Sequence, residues 1–326
     1  MKGLSARPNE VHKSYLQELI KQGFQYIIGS GSFSTIVRVC EDKVVRKASN
    51  DFDTNECNVM RELIKLYNRK DYSINVVKVY SSYQKYQLLE YIICSLSGKS
   101  FSIDLTEFVK NNRDNYSQRL FLASRDKYFT QLYDGISWLH TNNIFHRDIG
   151  TNNLVISGDM DSKTCIKIID FNLSIAIPQF RTNLKIIESS VPFRYPGTIG
   201  TNVFKSLRVK DFEIYLNEKL NKDQYLTFKG YLSASDFWSA IVVCFILVNY
   251  EPPWESAPDT NKLQTYFRVH DYDESDENSS LIKMNIVIKN MFENLINEDN
   301  GEYFLKSLSL VEIEHSFVTL QNELKL

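Results

Sequence analysis

The sequence predicts an α+β fold of two lobes: a small N-terminal lobe built on an antiparallel β-sheet with one helix, and a larger, mainly helical C-terminal lobe. Two observations carry this. Apolar and polar residues alternate with a period of two through much of the first hundred residues, and from about residue 104 onwards the apolar positions recur at helical spacing. A third makes it feasible, since 326 residues can bury a sizeable core on each side of a shared cleft.

The elements follow in order. After a short amphipathic start at about 9–22, residues 25–47, which overlap "IIGSGSFSTIVRVCEDKVVRKAS" (27–49), read as a strand, a tight Gly-Ser loop, a strand, an "EDK" hairpin turn and a third strand. Residues 54–67, "TNECNVMRELIKLY", have helical spacing, and "INVVKVYSSYQKYQLLEYIIC" supplies two more strands. Then "DLTEFVKNN" and "RDKYFTQLYDGISWLHTNN" are helical, and further helices are expected around 231–249, 280–296 and 309–325. The expected organisation is an extension at 1–24, a small lobe at 25–91 and a large lobe at 92–326. Its hinge is expected within 90–100, with an insertion at about 208–231. The stretch "DYDESDENSS" at 271–280 reads as an acidic exposed loop.

Composition narrows the function classes. With 38 Lys and Arg against 40 Asp and Glu, the formal net charge is -2, so nothing asks for nucleic acid as a bulk electrostatic partner. Five cysteines (Cys40, Cys57, Cys94, Cys165, Cys244) lack CxxC spacing and read as reduced thiols rather than a disulfide framework or zinc site. The polar start has no signal-peptide core, and the apolar run "AIVVCFILV" at 240–248 is too short to span a bilayer and reads as a buried helix. The expectation is an intracellular protein, cytoplasmic or nuclear, with no membrane partner.

Five pieces could together carry chemistry. The loop "GSGSFSTI" contains Gly29, Ser30, Gly31, Phe33 and Ile36, and its glycines let backbone N–H groups approach phosphates. Lys47, at the end of "VVRK" on the third strand, can hold a phosphate as a point charge. Such a lysine needs an orienting carboxylate; Glu56 is preferred, because Met60 one turn later would face the core, and Glu62 is the alternative. In "HRDIGTNN", Asp148 can accept a hydroxyl proton and Asn153 can ligate a metal. Asp170 in "IKIIDFNLS" offers a hard oxygen ligand for Mg²⁺ at a strand's end.

At this point the sequence resembles the eukaryotic-type protein kinase family, over about residues 25–318. The resemblance rests on "GSGSFSTI", "VVRK", "ECNVM", "HRDIGTNN" and "DFN". It is supported by "GTIG" (197–200) as the substrate-side loop, "SDFWS" (235–239) as the start of a buried central helix and "SLVEIEHSFV" as the closing helix. It implies a bilobal kinase-like fold, ATP and Mg²⁺ as cofactors and a protein substrate. By position it implies that Lys47 pairs with Glu56 and the ATP phosphates, that Asp148 serves the acceptor hydroxyl, and that Asn153 and Asp170 hold the metal. Adenine would lie between Ile36 and Val45 above and Val155 below, with Leu89 behind it and backbone groups of Glu90 and Ile92 as partners. Arg147 would receive a phosphate from Thr182, Ser189 or Ser190, and Asp236 would accept backbone N–H bonds from the catalytic loop, its alternative being an N-cap.

The departures shape the functional expectation. Asn172 stands where the family's metal triplet has Gly, Gly150 where Ser/Thr kinases carry a Lys, and Asn152 where tyrosine kinases carry an Arg. The Ala-Pro-Glu after the substrate loop is replaced by "VFK", so Lys205 stands for the Glu, Lys306 is the nearest basic residue in the closing helices, and the family's structural salt bridge there is expected to be missing. The leading expectation is a protein kinase acting on Ser or Thr. Its alternatives are a pseudokinase that binds nucleotide or partners with little transfer, and a small-molecule kinase of related fold.

Overall fold

The computed structural model describes residues 8–23, 27–30, 34–48, 54–69, 72–96, 99–113, 118–159, 163–177, 200–209, 220–269 and 280–309, with scattered positions up to 318. The small lobe comprises helix α1 (Pro8–Gln22), strands β1 (Ile27–Ser30), β2 (Ser34–Arg38) and β3 (Lys43–Ala48), helix α2 (Thr54–Asn68), and strands β4 (Val79–Tyr83) and β5 (Tyr86–Glu90). Its sheet is antiparallel in the order β1-β2-β3-β5-β4, as the alternating pattern predicts.

Both faces of this sheet are covered, which the sequence did not lead us to expect. On the outer face α1 buries Leu16 completely against Val45, Tyr80 and Leu88, so the segment read as an extension is part of the lobe's packing. On the inner side α2 presents Val59, Met60 and Leu63 to the main core. A strand between two apolar layers loses its in/out alternation of polarity, and β3 shows this, with Val44 at 6% and Val45 at 0% exposure.

The segment between α2 and β4 is pinned to the large lobe. Asn75 donates through Nδ2 to the Ile166 carbonyl (3.0 Å). Its own carbonyl accepts from Ile168 N–H (2.8 Å), and Tyr72 packs on Trp138 with centroids 4.8 Å apart. Only residues 91–93 link β5 to β6 (Cys94–Leu96). β6 forms a hairpin with β7 (Lys99–Phe101), followed by β8 (Ile103–Asp104), α3 (Leu105–Arg113), α4 (Gln118–Thr141) and β9 (Ile144–Phe145). Next come β10 (Leu154–Asp159) and β11 (Lys163–Ile168), an antiparallel pair, then β12 (Ile175–Ala176), which pairs with β9. The hairpin, absent from the sequence-based reading, joins this pair through parallel β6–β10 contacts.

Helix α5 (Lys222–Asn249) is the axis of the large lobe and begins nine residues before the expected 231. A capping box sets that start: the Asn221 side chain accepts from Gln224 N–H (2.9 Å) while the Gln224 side chain accepts from Asn221 N–H (2.9 Å). The last ten residues of the expected insertion, 222–231, thereby become the helix's first turns, and this end of the helix buries Tyr225, Phe228 and Leu232; residues 210–219 lie outside the described residues. α5 is apolar and long enough by composition to cross a membrane, but its central residues are buried inside the lobe, as expected for 240–248. Around it pack α6 (Thr260–Val269) and α7 (Ser280–Asn294), with Trp238, Trp254, Tyr266 and Phe292 forming an aromatic cluster. The chain then makes a hairpin of β13 (Ile296–Asp299) and β14 (Glu302–Leu305). At its turn Asn300 and Gly301 take φ of 53° and 79°, the twist two-residue hairpin turns require. Residues 270–279, nearly all of the acidic stretch, and most of 314–326 lie outside the described residues.

If α1 is structural, Leu16→Ala lowers unfolding stability in urea by about 2–5 kcal/mol, the range for truncating a buried leucine. Val11→Ala, on the same helix but 53% exposed, serves as the matched control and changes stability by no more than about 0.5 kcal/mol.

Candidate active site

The loop between β9 and β10 is suspended from a buried carboxylate. Asp236, 1% exposed in the middle of α5 rather than at a helix start, accepts from His146 N–H (2.8 Å) and Arg147 N–H (2.7 Å), with His140 Nε2 at 2.8 Å. These bonds hold Arg147 at φ 67°, a left-handed conformation costly for a long side chain. The Asp236 role implied by the resemblance is therefore present, and the N-cap alternative is not. Burial opposes ionisation of Asp236, but the hydrogen bond and charge of His140, then His146 and the Arg147 N–H, hold its carboxyl below the usual carboxylate range. Burial also lowers the Arg147 guanidinium to about 10. Thr182, Ser189 and Ser190, its implied phosphate donors, lie outside the described residues.

That loop delivers Asp148 to the cleft with both carboxylate oxygens engaged. Oδ2 accepts from Asn153 Nδ2 (2.9 Å), and Oδ1 accepts from Thr201 N–H (2.8 Å) and Thr201 Oγ1 (3.2 Å). Thr201 was not singled out by sequence reading, which placed the substrate-side loop at 197–200; of that stretch Gly200 is described. Gly200 has φ 92°, and a Cβ there would sit 2.8 Å from the Arg147 carbonyl, so only glycine lets the two loops approach this closely. The result is an oriented base at the rim of the cleft.

Asn153 Nδ2 also donates to the Asp148 carbonyl (2.8 Å), which leaves Oδ1 as the amide atom that could ligate a cation; here it accepts from Asn152 Nδ2 (3.1 Å). Asp170, at φ 60° and exposed, is at the end of the segment following β11. One amide oxygen and one carboxylate fit Mg²⁺, which is usually bound by one or two protein oxygens plus substrate phosphates and water. Among the described residues no cluster of three or more His, Cys, Asp or Glu forms an all-protein metal cage.

The strand cation differs from the sequence expectation. Lys47 is exposed, on the α1 side of β3 with Val45, whereas its neighbour Arg46 is 7% exposed and faces the cleft. Arg46 Nη1 donates to Glu56 Oε1 (2.9 Å) and Gln87 Oε1 (3.1 Å), and Nη2 donates to Asn172 Oδ1. The period of a strand forces the correction, because side chains one residue apart point to opposite faces. The same shift puts Val44, not Val45, in the lining of the cleft, where the resemblance had implied an adenine contact for Val45. Glu56 is the partner carboxylate, as preferred over Glu62, which instead pairs with Lys65 on the surface. Burial raises the Glu56 carboxyl, the Arg46 charge opposing it.

The remaining residues meet in a cleft of about 300 Å³ between the lobes. Ile28 and Ile36 lie on the small-lobe side with Val44, Val155 on the large-lobe side, and Leu89, Glu90 and Ile92 along the hinge. Gly29 and Ser30 belong to β1; Gly31 and Phe33 lie outside the described residues. Phe171 packs on His146, centroids 5.0 Å apart, keeping the segment after Asp170 folded inward. The Glu90 carboxylate is clamped between Lys78 (3.4 Å) and buried Lys167 (3.1 Å), one from each lobe.

Two departures acquire physical causes. A Cβ on Gly150 would meet the Phe204 ring at 2.9 Å, so the space a lysine would need is filled. Lys205 bonds Asn202 Oδ1 (2.7 Å) and makes no carboxylate ion pair among the described residues. Its segment is held instead by Ser239 Oγ on the Phe204 carbonyl (2.7 Å) and Trp254 Nε1 on the Val203 carbonyl (2.8 Å).

The protein kinase domain profile matches residues 24–209, and the chain belongs to the protein kinase family. It is 22% identical over 305 residues to a probable serine/threonine-protein kinase of Dictyostelium discoideum, covering 89% of this chain and 57% of that protein. It is 22% identical to the serine/threonine-protein kinase PKH2 of Saccharomyces cerevisiae (82% and 23% coverage). To CBL-interacting serine/threonine-protein kinase 8 of Arabidopsis thaliana it is 30% identical (50% and 27%). The chain thus spans less than two thirds of the length of these relatives.

Two outcomes test the site's construction. Asp236→Asn, which leaves the same shape but removes a buried charge with three partners, costs about 3 kcal/mol or more in urea unfolding. Because the folded-state carboxyl lies below its ordinary value, its stabilisation is present above the ordinary aspartate range and disappears as pH falls through the lower folded value, so the stability gap between wild type and variant narrows only in acid. Gly150→Ala, by overpacking Phe204, costs about 1–3 kcal/mol and lowers the melting temperature.

Proposed function

We propose that the chain is an ATP- and Mg²⁺-dependent kinase that phosphorylates serine or threonine hydroxyls of protein substrates. The single observation that carries this reading is the Asp148 carboxylate, fixed by Asn153 and Thr201 at the mouth of a cleft that also holds Arg46 and Asp170. In the reaction the acceptor oxygen forms a bond to the γ-phosphorus, the bond to the β–γ bridging oxygen breaks, ADP leaves, and the hydroxyl proton passes to Asp148. Asn153 and Asp170 would hold Mg²⁺, which would neutralise phosphate charge. Arg46 supplies the cation on the phosphate side, and the walls made by Val44, Val155 and Leu89 keep water from the adenine. The Ser/Thr assignment rests on the names of the relatives and on Thr201 at Asp148, since the catalytic-loop lysine position is a glycine.

A second reading, a pseudokinase, is favoured by one specific pair of features: an arginine in place of the strand lysine and a filled space at Gly150. It predicts nucleotide binding without transfer.

Labelled γ-phosphate transfer and calorimetric Mg-ADP binding separate the two. On the kinase reading, label appears on Ser or Thr and Asp148→Asn reduces it by about 10²–10⁴-fold, the range for a positioned acid–base group, while ADP affinity stays within about threefold. Wild-type binding without any label selects the pseudokinase. Arg46→Met weakens nucleotide binding by about tenfold or more, consistent with charge-assisted contacts of about 1.5–3 kcal/mol; Lys47→Met leaves it unchanged.

A further inference from the structure

We infer that Asn172 is a positioning residue matched to Arg46, and that the two substitutions form one arginine-specific device for holding the nucleotide phosphates. The inference rests on the proposed nucleotide-binding reading and deepens it. Four side chains from four parts of the small lobe and the metal segment meet here: Arg46 from β3, Glu56 from α2, Gln87 from β5 and Asn172 from the turn after Asp170. Gln87 Nε2 donates to Glu56 Oε1 (2.9 Å), the same oxygen that accepts from Arg46, so Gln87 is bonded to both members of the ion pair. Arg46, Glu56 and Gln87 are 7%, 7% and 2% exposed, so each lost partner there is felt as an unsatisfied buried group.

The guanidinium is the reason the acceptors lie where they do. Its two terminal nitrogens form a rigid fork: Nη1 serves Glu56 and Gln87, and Nη2 reaches across to Asn172. A lysine at position 46 ends in one nitrogen on a flexible stem. It can keep the Glu56 pair but cannot occupy both points of the fork, and it leaves the Asn172 amide without its donor. A glycine at position 172 has no acceptor to give, and leaves Nη2 without that partner. Each residue therefore makes sense only with the other. Their bond also couples the strand cation to the backbone that carries Asp170, where Asn172 N–H approaches Asp170 Oδ1 at 3.4 Å. In this protein the phosphate-holding and metal-holding groups are positioned by one network.

The test is a four-member cycle, wild type, Arg46→Lys, Asn172→Gly and Arg46→Lys/Asn172→Gly, read by calorimetric Kd for Mg-ADP and by KM for ATP and kcat. Both single variants are expected to weaken Mg-ADP binding and raise the KM for ATP by at least about tenfold, the cost of one charge-assisted hydrogen bond, although Arg46→Lys restores the residue the family uses. The double variant is expected to recover at least about fivefold over Arg46→Lys in both constants. A melting temperature for each variant separates loss of fold from loss of positioning; should Asn172→Gly fail to fold, Asn172→Ala takes its place in the cycle. Losses that multiply in the double variant, or an Arg46→Lys protein that binds Mg-ADP as well as wild type, overturn the matched-pair inference. A wild-type protein that binds no Mg-ADP overturns the nucleotide-binding reading itself and the inference with it, and is distinguished by failing before any variant is made.

Discussion

The site depends on one buried carboxylate more than on any residue that faces the cleft. Asp236 lies on the large lobe's central helix, and the loop carrying Asp148 hangs from it by two backbone N–H bonds. A charge buried to this depth is tolerable only when its oxygens are saturated, and here saturation and positioning are the same act. The left-handed backbone at Arg147 follows from it, and so does the close passage of Gly200 that brings Thr201 onto Asp148. The reacting edge of the cleft is thus fixed by the interior of the large lobe.

The opposite edge is built on different terms. In the small lobe the positive group is held by an open set of side chains from two secondary-structure elements, α2 and β5, and one turn, with no single anchor. Its guanidinium spreads its donors over three partners, so the positive group here has a wide, geometry-dependent footprint. A compact lysine would need fewer partners. The asparagine in the metal segment and the glutamine on β5 are the structural consequences of having the larger cation.

What the sequence revealed and what it concealed divide along physical lines. The strands and helices were legible where periodicity was undisturbed, as were Asp148, Asn153 and Asp170, whose identities and spacing lie within short local stretches. Lys47 was mistaken for the cleft cation because both faces of β3 are buried; with Val44 and Val45 equally apolar, the phase of the strand could not be read from polarity, and residue type filled the gap. A matched acceptor set, Gln87 and Asn172, was the available signal for Arg46, but it becomes visible only when distant segments are brought together. Thr201 was hidden for the same reason. The turn at Asn300 and Gly301, by contrast, was a local signal that went unread, in a segment between the helices expected at 280–296 and 309–325.

The clamp on Glu90 has a mechanical corollary. β5 ends at Glu90, whose carboxylate is tied to Lys78 on one side and Lys167 on the other, and β6 begins at Cys94, already paired with β10 of the large lobe. Residues 91–93 join these two anchored ends, and Tyr91 and Ile92 line the cleft themselves. The link between the lobes and one wall of the cleft are one short piece of chain, so whatever fills the cleft presses directly on the joint between the two halves.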